Sequence, residues 1–435
     1  MRELKAVRKR IQVMGLVTAL TAGLMTAPGV QAKTTSISIS TSKATVSVGD
    51  KITLKVKGKK KSAKVKWSSS KKKVATVSKK GVVKAKKTGS AKITAKVGKK
   101  KAVCKITVKK ATDGNKILTQ WKGTAASKKS LISYMKTITK KKGKYYIPPK
   151  DRIAVFDLDG TLFCETDPNY FDYTLLRYRV LDDPDYKDKA SDFEKEVALK
   201  IDDQNENGTS YKGLEVDHGK AVASAFKGMT LKEFNDYIQK FKQQDMPGYS
   251  GMKRGEGFYK PMLQVVDYLK ANDFTVYIVS GTDRFIVRGI VDNSPLDLPA
   301  RQIIGSDESL VAPDQGDTEG LNYTYDDNDK LVLGGDFLIK NLKMNKVTVI
   351  MQEIGQQPVL SFGNSSGDAS MAEFVTSNNP YKSKAFMLCC DDTVRENGNE
   401  KKADDMKAMC KEFDWVPISM RDDWTTIYGD GVTKK

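Results

Sequence analysis

Histidine is nearly absent from this chain of 435 residues, because His218 is the only one. A hydrolytic serine or cysteine commonly depends on a neighbouring imidazole, and zinc sites are built from cysteine and histidine at short spacings. His218 lies in a region with helical periodicity, distant in sequence from the cysteines, and no cysteine has the spacing of a zinc site. The sequence therefore argues against a cysteine nucleophile and against a zinc centre.

Cysteine is also scarce, with five residues in the whole chain. Cys389 and Cys390 end a predicted strand, and Cys410 lies on a later predicted helix. A bridge from Cys410 to one of this pair is one alternative, but the low density favours buried free thiols. The cysteines are Cys104, Cys164, Cys389, Cys390 and Cys410.

Acidic residues are almost missing from residues 1–150, which hold 41 Lys and Arg against 3 Asp and Glu, a net charge of +38. Residues 151–435 hold 34 against 50, a net charge of −16, although the whole chain carries +22. The polycationic part should attract anionic polymers in a salt-dependent way. Its cations are nearly all Lys, without the Arg and interleaved aromatics of base-reading proteins, which favours an anionic cell-wall polymer over specific nucleic acid. The alternative is that these lysines keep the region soluble and protect its strand edges.

Long apolar runs are lacking except near the start of the chain. An apolar stretch over residues 11–27 follows several basic residues and ends in the small-residue sequence Val30-Gln31-Ala32. This pattern predicts a secretory signal peptide over residues 1–32, with a retained membrane anchor as the alternative. We therefore expect a secreted or cell-envelope protein of a bacterium, with no transmembrane segment in the mature chain.

Residues 33–110 consist of short segments in which apolar and polar residues alternate, such as Lys51–Val56 and Ala91–Val97. Many short alternating strands at close spacing predict an all-β sandwich of two sheets. The region resembles the bacterial Ig-like group 2 (BIG2) domain, which implies a stalk or surface-attachment module. The residues that carry this resemblance are Val65–Ser70, Val74–Val77, Gly81–Val83, Thr88–Ala91 and Cys104–Val108.

Residues 111–150 are expected to be a basic linker followed by a lead-in helix at Ser127–Thr139. After it, the apolar run Ile153–Phe156 predicts a buried strand that ends at two carboxylates, Asp157 and Asp159. Ligands of open α/β sheets bind outside the carboxyl ends of the strands, and Gly160 allows the chain to turn sharply there. Two acids in this position can divide the work of nucleophile or metal ligand and of proton transfer.

The string Asp157-Leu158-Asp159-Gly160-Thr161 resembles the first motif of the haloacid dehalogenase-like (HAD) phosphohydrolases. A calcium loop and a plain polar strand-to-turn junction are the alternatives for the isolated string. Later segments support the resemblance, because Thr275–Thr282 is a second apolar strand that ends in Ser280 and Gly281, similar to the second motif.

A lysine ahead of the next predicted strand completes the resemblance to the third motif. Lys346 fits best because it begins a helix with Val347 and Ile350, whereas Lys340 and Lys343 are rivals.

The fourth motif is the segment Gly363–Met371, which is similar to the Gly-Asn-Ser-x-Gly-Asp-x-x-Met form of the superfamily. The resemblance implies that Asp368 binds Mg²⁺, with Asn364 where many relatives carry Asp.

The resemblance covers residues 151–435 and implies an α/β doubly wound (Rossmann-like) domain. The long insertion at about 163–274 would then be a helical cap of the C1 kind, as in phosphoserine phosphatase-like members. Its candidates to face the site, or to pack within the cap's own core, are Tyr170, Tyr173, Arg177 and Arg179. We also expect a β hairpin formed by Leu321–Tyr325 and Lys330–Leu333.

The resemblance implies a Mg²⁺-dependent phosphomonoester hydrolase with an aspartyl-phosphate intermediate. Asp157 would attack phosphorus, Asp159 would transfer protons, and Ser280 and Lys346 would hold the transferring oxygens. Thr161 and Gly281 would shape the phosphate site, and Glu165 stands near the position of an acid that contacts a substrate amine in relatives. The expected metal set is Asp157, Asp159, Asn364 and Asp368. The alternatives are a phosphotransferase with the same intermediate and a wall-binding surface protein with an inactive scaffold.

Overall fold

The computed structural model describes residues 36–109 and 112–435, which divide into two compact units at Val108 and Lys109. The predicted signal peptide, residues 1–32, lies outside the described residues. Among the residues described, no helix is both long and apolar enough to cross a membrane.

The first unit is all β, as predicted. Its main sheets have the strand orders β2-β9-β8-β5 and β3-β7-β6, and β1 pairs with β4. The long strands β8 and β9 alternate buried residues such as Ile93 and Ile106 with exposed lysines such as Lys92 and Lys105, so each sheet has one apolar face. The strands are β1 Ser38–Ile39, β2 Lys43–Ser47, β3 Lys51–Thr53, β4 Val56–Lys57, β5 Lys66–Ser69, β6 Ala75–Val77, β7 Val82–Ala85, β8 Gly89–Val97 and β9 Lys100–Lys109.

The second unit is built on a seven-stranded sheet with the order β14-β13-β12-β10-β15-β16-β17, in which only the pairing of β14 with β13 is antiparallel. The strand order reverses on the two sides of β10, as in doubly wound α/β folds. The strands are β10 Ile153–Phe156, β11 Tyr249–Ser250, β12 Thr275–Asp283, β13 Ile303–Val311, β14 Val332–Ile339, β15 Leu360–Gly363, β16 Lys384–Cys389, β17 Val416–Ser419 and β18 Thr433–Lys434.

Helices cover both faces of this sheet. Ala154 and Phe156 of β10 belong to one buried cluster, whereas Val155 packs on the other face with Val349 and Met371. This alternation follows from the two-residue period of a strand. The α helices are α1 Gly114–Ile117, α2 Ala126–Thr139, α3 Phe171–Arg177, α4 Asp192–Asn207, α5 Leu214–Ala225, α6 Leu231–Phe241, α7 Lys260–Ala271, α8 Arg284–Val291, α9 Met344–Val349, α10 Ala369–Thr376, α11 Glu400–Glu412 and α12 Met420–Asp423.

The segment expected as a linker is part of the α/β unit where the structure describes it. Helix α2 buries Leu131 and Ile138 in the main core, and the Tyr134 hydroxyl donates hydrogen bonds to the Val359 and Lys382 carbonyls. This packing was not predicted from the sequence, because the many lysines of the segment mask its apolar face.

The insertion between β10 and β12 contains α3 to α7, and two of these helices begin with capping boxes at Ser191 and Thr230. The predicted hairpin is wrong in its first strand: residues 320–322 form a 3₁₀ turn, and β14 pairs with β13 instead. All five cysteines, each within the described residues, are free thiols.

Candidate active site

A cavity of about 310 Å³ opens beyond the carboxyl ends of β10, β12 and β15. Its lining includes Asp157 and Asp159, which follow β10, and Gly281 from β12. Asn364 and Asp368, from the segment that follows β15, also line it. Strands β10 and β15 are direct neighbours, and Asp157 N–H donates to the Phe362 carbonyl at 2.9 Å. The cavity therefore lies at the switch point of the strand order, where open α/β sheets bind ligands.

The turn after β10 requires a glycine. Gly160 has φ of +72°, and a Cβ atom there would overlap the Asn364 amide and the Glu165 carboxylate. Below this turn, Thr161 is fully buried and its hydroxyl lies 3.4 Å from Asn364 Oδ1. The close approach of the first and fourth motifs is thus possible only because position 160 lacks a side chain.

Lys346 joins the two carboxylates at the centre of the site. Its Nζ donates to Asp157 Oδ1 at 2.7 Å and to Asp368 Oδ1 at 2.6 Å, and the lysine is completely buried. The other oxygen of Asp368 accepts from the backbone N–H groups of Asn364 and Ser365 at 3.0 and 3.1 Å. Burial opposes the charge of Lys346, but the two carboxylates outweigh it and raise the pKa of the ammonium.

Asp157 itself is held in a strongly desolvated environment. The pKa of its carboxyl is raised to about 7, mainly by burial and also by like-charge repulsion from Asp368, while Lys346 opposes both effects.

Asp159 points to the β12 side of the site. Its Oδ2 accepts a hydrogen bond from the Thr282 hydroxyl at 2.8 Å, while Oδ1 has no partner among the described residues. Burial raises the pKa of Asp159 well above its usual value, and Asp172 and Asp157 add to the increase. One carboxyl oxygen is therefore fixed and the other is available to a ligand.

Glu165 lies beside the turn and lines the cavity. Its Oε1 accepts from Asn364 Nδ2 at 3.1 Å, and burial raises its pKa to about 7. The Asn364 side chain therefore links Glu165 to Thr161, while its backbone N–H donates to Asp368.

The predicted second motif contributes through its neighbours. Ser280 is fully buried, and its hydroxyl accepts from the Thr282 N–H at 3.1 Å, whereas Gly281 and Thr282 line the cavity. Of the two rival lysines, Lys343 is exposed and Lys340 lines the cavity, where burial lowers its pKa.

The donor set fits a magnesium ion, which needs few protein oxygens and keeps several waters. Asp157 and Asp368 approach the same ammonium, so their oxygens lie close together. Asn364, whose side-chain oxygen lies 3.4 Å from the Thr161 hydroxyl, lines the same cavity. Within residues 36–109 and 112–435, no group of three or more His, Cys, Asp and Glu residues is arranged to hold a metal. The fit thus rests on two carboxylates with amide, carbonyl and water oxygens.

Several residues that line the cavity were not predicted from the sequence to have a role. Asp172, Gln204 and Glu215 belong to the insertion, and Thr282 follows the second motif. The two insertion tyrosines, Tyr170 and Tyr173, also line the cavity. Arg177 and Arg179 instead pair with acids of the insertion itself. No local sequence pattern distinguishes the residues that line the cavity from those that pair within the insertion. The distinction depends on how the insertion packs on the sheet.

Comparison with family models agrees with this site. The haloacid dehalogenase-like hydrolase model matches residues 154–373, which include every motif described above. The chain belongs to this family. The model of the bacterial Ig-like domain (group 2) matches residues 33–108. A comparison with curated proteins finds no match.

Three solved structures illustrate what the two units of this HAD-family chain resemble. A functionally unknown protein from Anaerococcus prevotii is 15% identical, with 67% of this chain and 91% of that chain covered and a TM-score of 0.41. Cytosolic 5'-nucleotidase IIIB bound to cytidine is 11% identical, with 68% and 86% covered and a TM-score of 0.39. Domains 4 and 5 of the S-layer protein SbsC are 30% identical over 17% of this chain and 50% of that chain, with a TM-score of 0.15.

Proposed function

We propose that the α/β unit is a phosphomonoester hydrolase that acts through an aspartyl-phosphate on a small organic phosphate. The observation that carries this proposal is the buried Lys346 ammonium between Asp157 and Asp368, next to Asp159 with its unpartnered oxygen. An ammonium held in this way offsets the repulsion between a carboxylate nucleophile and a phosphate dianion.

In the first step, an Asp157 oxygen forms a bond to phosphorus as the bond to the ester oxygen breaks. Asp159 gives its proton to the departing oxygen, and its hydrogen bond from Thr282 keeps the carboxyl oriented. In the second step, Asp159 accepts a proton from water as the water oxygen attacks phosphorus and releases Asp157. The groups proposed to hold the phosphoryl oxygens are the Lys346 ammonium, the turn at Thr161, and Gly281, which follows the buried Ser280.

We assign Mg²⁺ to Asp157, Asp368, Asn364 and the backbone carbonyl of Asp159. When bound, the ion neutralises charge on the phosphoryl group and on the surrounding carboxylates. This assignment is consistent with the hard oxygen donors that meet there.

The insertion is proposed to act as a helical cap. Tyr170, Tyr173, Gln204 and Glu215 all come from it and line the cavity with the sheet residues. A cap of this kind excludes water and selects the substrate.

For the first unit, we propose attachment to an anionic polymer of the bacterial envelope, in agreement with a secreted location. Residues 36–109 hold 24 lysines and a single acidic residue, Asp50. Most of these lysines are exposed, so their charge faces the solvent.

The test of the hydrolase is release of inorganic phosphate from a panel of phosphomonoesters, with Mg²⁺ and with EDTA. We expect metal-dependent release that falls by about 10³-fold or more in Asp157→Asn, as for removal of a nucleophile. Circular dichroism of the variant controls for folding. Retention of most activity in Asp157→Asn would remove the assignment of the nucleophile.

Two alternatives have distinct results in the same assay. A phosphotransferase would pass the phosphoryl group to an added alcohol in preference to water. An inactive scaffold would release no phosphate from any ester, with or without metal.

A further inference from the structure

The part of the cavity that comes from the insertion is acidic. Among the described residues, six carboxylates line the cavity, and Lys340 is the only lysine or arginine that does so. The Lys346 ammonium offsets the negative charge of Asp157 and Asp368, and a bound metal ion would add positive charge beside these two acids. Asp172 and Glu215 share one cationic neighbour, Lys340, with Asp159 and Asp283, so this wall keeps an excess of carboxylates and would repel a phosphate.

Asp172 stands out because it is buried and incompletely bonded. Its side chain lies in the first turn of α3 and is 2% exposed, and its Oδ1 has no hydrogen-bond partner within the part of the chain that the structure describes. Its Oδ2 lies 3.8 Å from His218 Nδ1, but burial lowers the pKa of His218 to about 4, so the imidazole is neutral near pH 7. A buried carboxylate oxygen without a donor is costly, and a ligand that supplies positive charge would relieve this cost.

A second residue of the insertion that lines the cavity also has a buried side-chain oxygen without a hydrogen-bond partner. Gln204 Oε1 is buried and also lacks a hydrogen-bond partner in residues 36–109 and 112–435. The unpaired oxygens of Asp172 and Gln204 indicate a ligand with hydrogen-bond donors or positive charge.

Aromatic rings complete this wall. Tyr170 and Tyr173 lie edge to face with centroids 5.3 Å apart, and Tyr173 is backed by the His218 ring at 4.0 Å. Aromatic faces next to carboxylates attract ammonium groups, including quaternary ones. The carboxylates of Asp172 and Glu215 supply the negative charge that an aromatic pair alone does not.

The cavity has the size of a small-molecule site. Its volume of about 310 Å³ lies within the range for ligand pockets, roughly 300–1,000 Å³. A small organic phosphate fits this volume.

We propose that the substrate is the phosphomonoester of a small amino alcohol, whose ammonium group binds between Tyr170, Tyr173, Asp172 and Glu215. This inference rests on the proposed hydrolase and names its substrate class. Hydrolysis breaks the bond between phosphorus and the alcohol oxygen, which takes one proton from water, while the water oxygen remains on the phosphate. Glu165 has a different place in this arrangement, because it accepts from Asn364 beside the metal ligands.

The decisive test compares each cationic ester with a neutral ester of the same shape. The probes are 2-aminoethyl phosphate against propyl phosphate, and choline phosphate against 3,3-dimethylbutyl phosphate. We expect kcat/KM to favour the cationic member of at least one pair by about tenfold or more, the range expected for ammonium recognition by aromatics and carboxylates together. Equal values within both pairs would overturn the proposal.

Variants of the two acids locate the recognition. Asp172→Asn should lower kcat/KM for the preferred cationic ester by about tenfold more than for its neutral counterpart, mainly through KM, because any effect on Asp159 is common to both esters. Glu215→Gln should act in the same direction but less, because Glu215 is exposed and so more strongly screened. Glu215→Gln also decides the question if Asp172→Asn does not fold.

Asp217→Asn is the matched control for Glu215→Gln. It removes one negative charge from the same helix, α5, at a residue that is not among those lining the cavity. An equal effect of Asp217→Asn would show that only the general negative potential matters, and this would overturn the site.

Failure of the inference is separable from failure of the proposed function. Hydrolysis of the neutral esters as fast as the cationic ones leaves a phosphatase and removes the ammonium site. If no ester is hydrolysed, the proposed function fails, and calorimetric titration of the same four esters decides the inference. Tighter binding of a cationic ester that is weakened in Glu215→Gln supports the site, and equal binding within both pairs overturns it.

Discussion

The two units of this chain place their charges in opposite ways. In the β sandwich, exposed lysines such as Lys92 and Lys105 alternate with core residues that are completely buried, such as Ile93. In the α/β unit, Lys346 and Asp368 are themselves in the interior, with 0% and 1% exposure. The sandwich therefore carries its charge on the surface around an apolar core, whereas the α/β unit also has charged side chains in its interior.

This difference has a physical consequence. A charge on the surface is solvated, contributes little to stability and acts at long range in a salt-dependent way. A buried charge is costly unless it is paired, and it acts strongly on its immediate neighbours. We therefore expect substitutions of charged residues to have large local effects in the α/β unit and small, additive effects in the sandwich.

The largest effect is expected for Lys346→Met. This change leaves Asp157 and Asp368 buried without their shared cation, which should lower the free energy of unfolding by about 3–5 kcal/mol and abolish turnover. Urea unfolding in metal-free buffer measures the first effect, and phosphate release measures the second.

The matched control for that variant is Lys343→Met. Lys343 is exposed and lies three residues away, so its loss should change the free energy of unfolding by less than about 0.5 kcal/mol. Similar destabilisation by both variants would contradict the central role given to the Lys346 ammonium.

A smaller effect should appear in the pH dependence of stability, through His218. Burial lowers its pKa to about 4 in the folded protein, while an unfolded chain has a value near 6.5. The unfolded state therefore binds the proton more readily. The contribution of the neutral His218 to stability is fully present above about pH 6.5 and is lost as pH falls toward 4.

The measurement is a comparison of the wild-type chain with His218→Gln at pH 7.5 and pH 5. Between these values the wild-type chain should lose about 2 kcal/mol more of unfolding free energy than the variant, because the variant has no imidazole to protonate. Other titrating groups are common to both proteins. Equal losses would mean that His218 is not held neutral by its surroundings.

The sequence predicts the parts of the site that lie next to strands. Asp157 follows β10 directly, and Asp368 comes at the end of the short loop between β15 and α10, so the ends of β10 and β15 determine where they lie. The pairing of Lys346 with these acids spans a separation of 189 residues from Asp157, yet it follows from the position of α9 before β15.

The sequence does not predict the parts that depend on how the insertion packs. Tyr173 and Arg177 are one helical turn apart on α3, yet Tyr173 lines the cavity and Arg177 bonds Asp202. Periodicity shows that such a helix is amphipathic but not which neighbour each face meets. The predicted strand at Leu321–Tyr325 failed for a related reason, since β14 finds its partner in β13, across the intervening loop.

The smallest effect on stability, and the sharpest test of the comparison, concerns the sandwich lysines. Changing Lys71, Lys72 and Lys73, all exposed, to Gln should leave unfolding almost unchanged, by less than about 0.5 kcal/mol per site, but should weaken retention of the full chain on purified anionic wall polymer. Retention should also fall as salt rises, because screening shortens the range of the attraction. The control changes the exposed run Lys140, Lys141 and Lys142 of the α/β unit to Gln, which removes the same charge. If both triple variants lose retention equally, the polymer responds to total charge, and the sandwich has no special part in attachment.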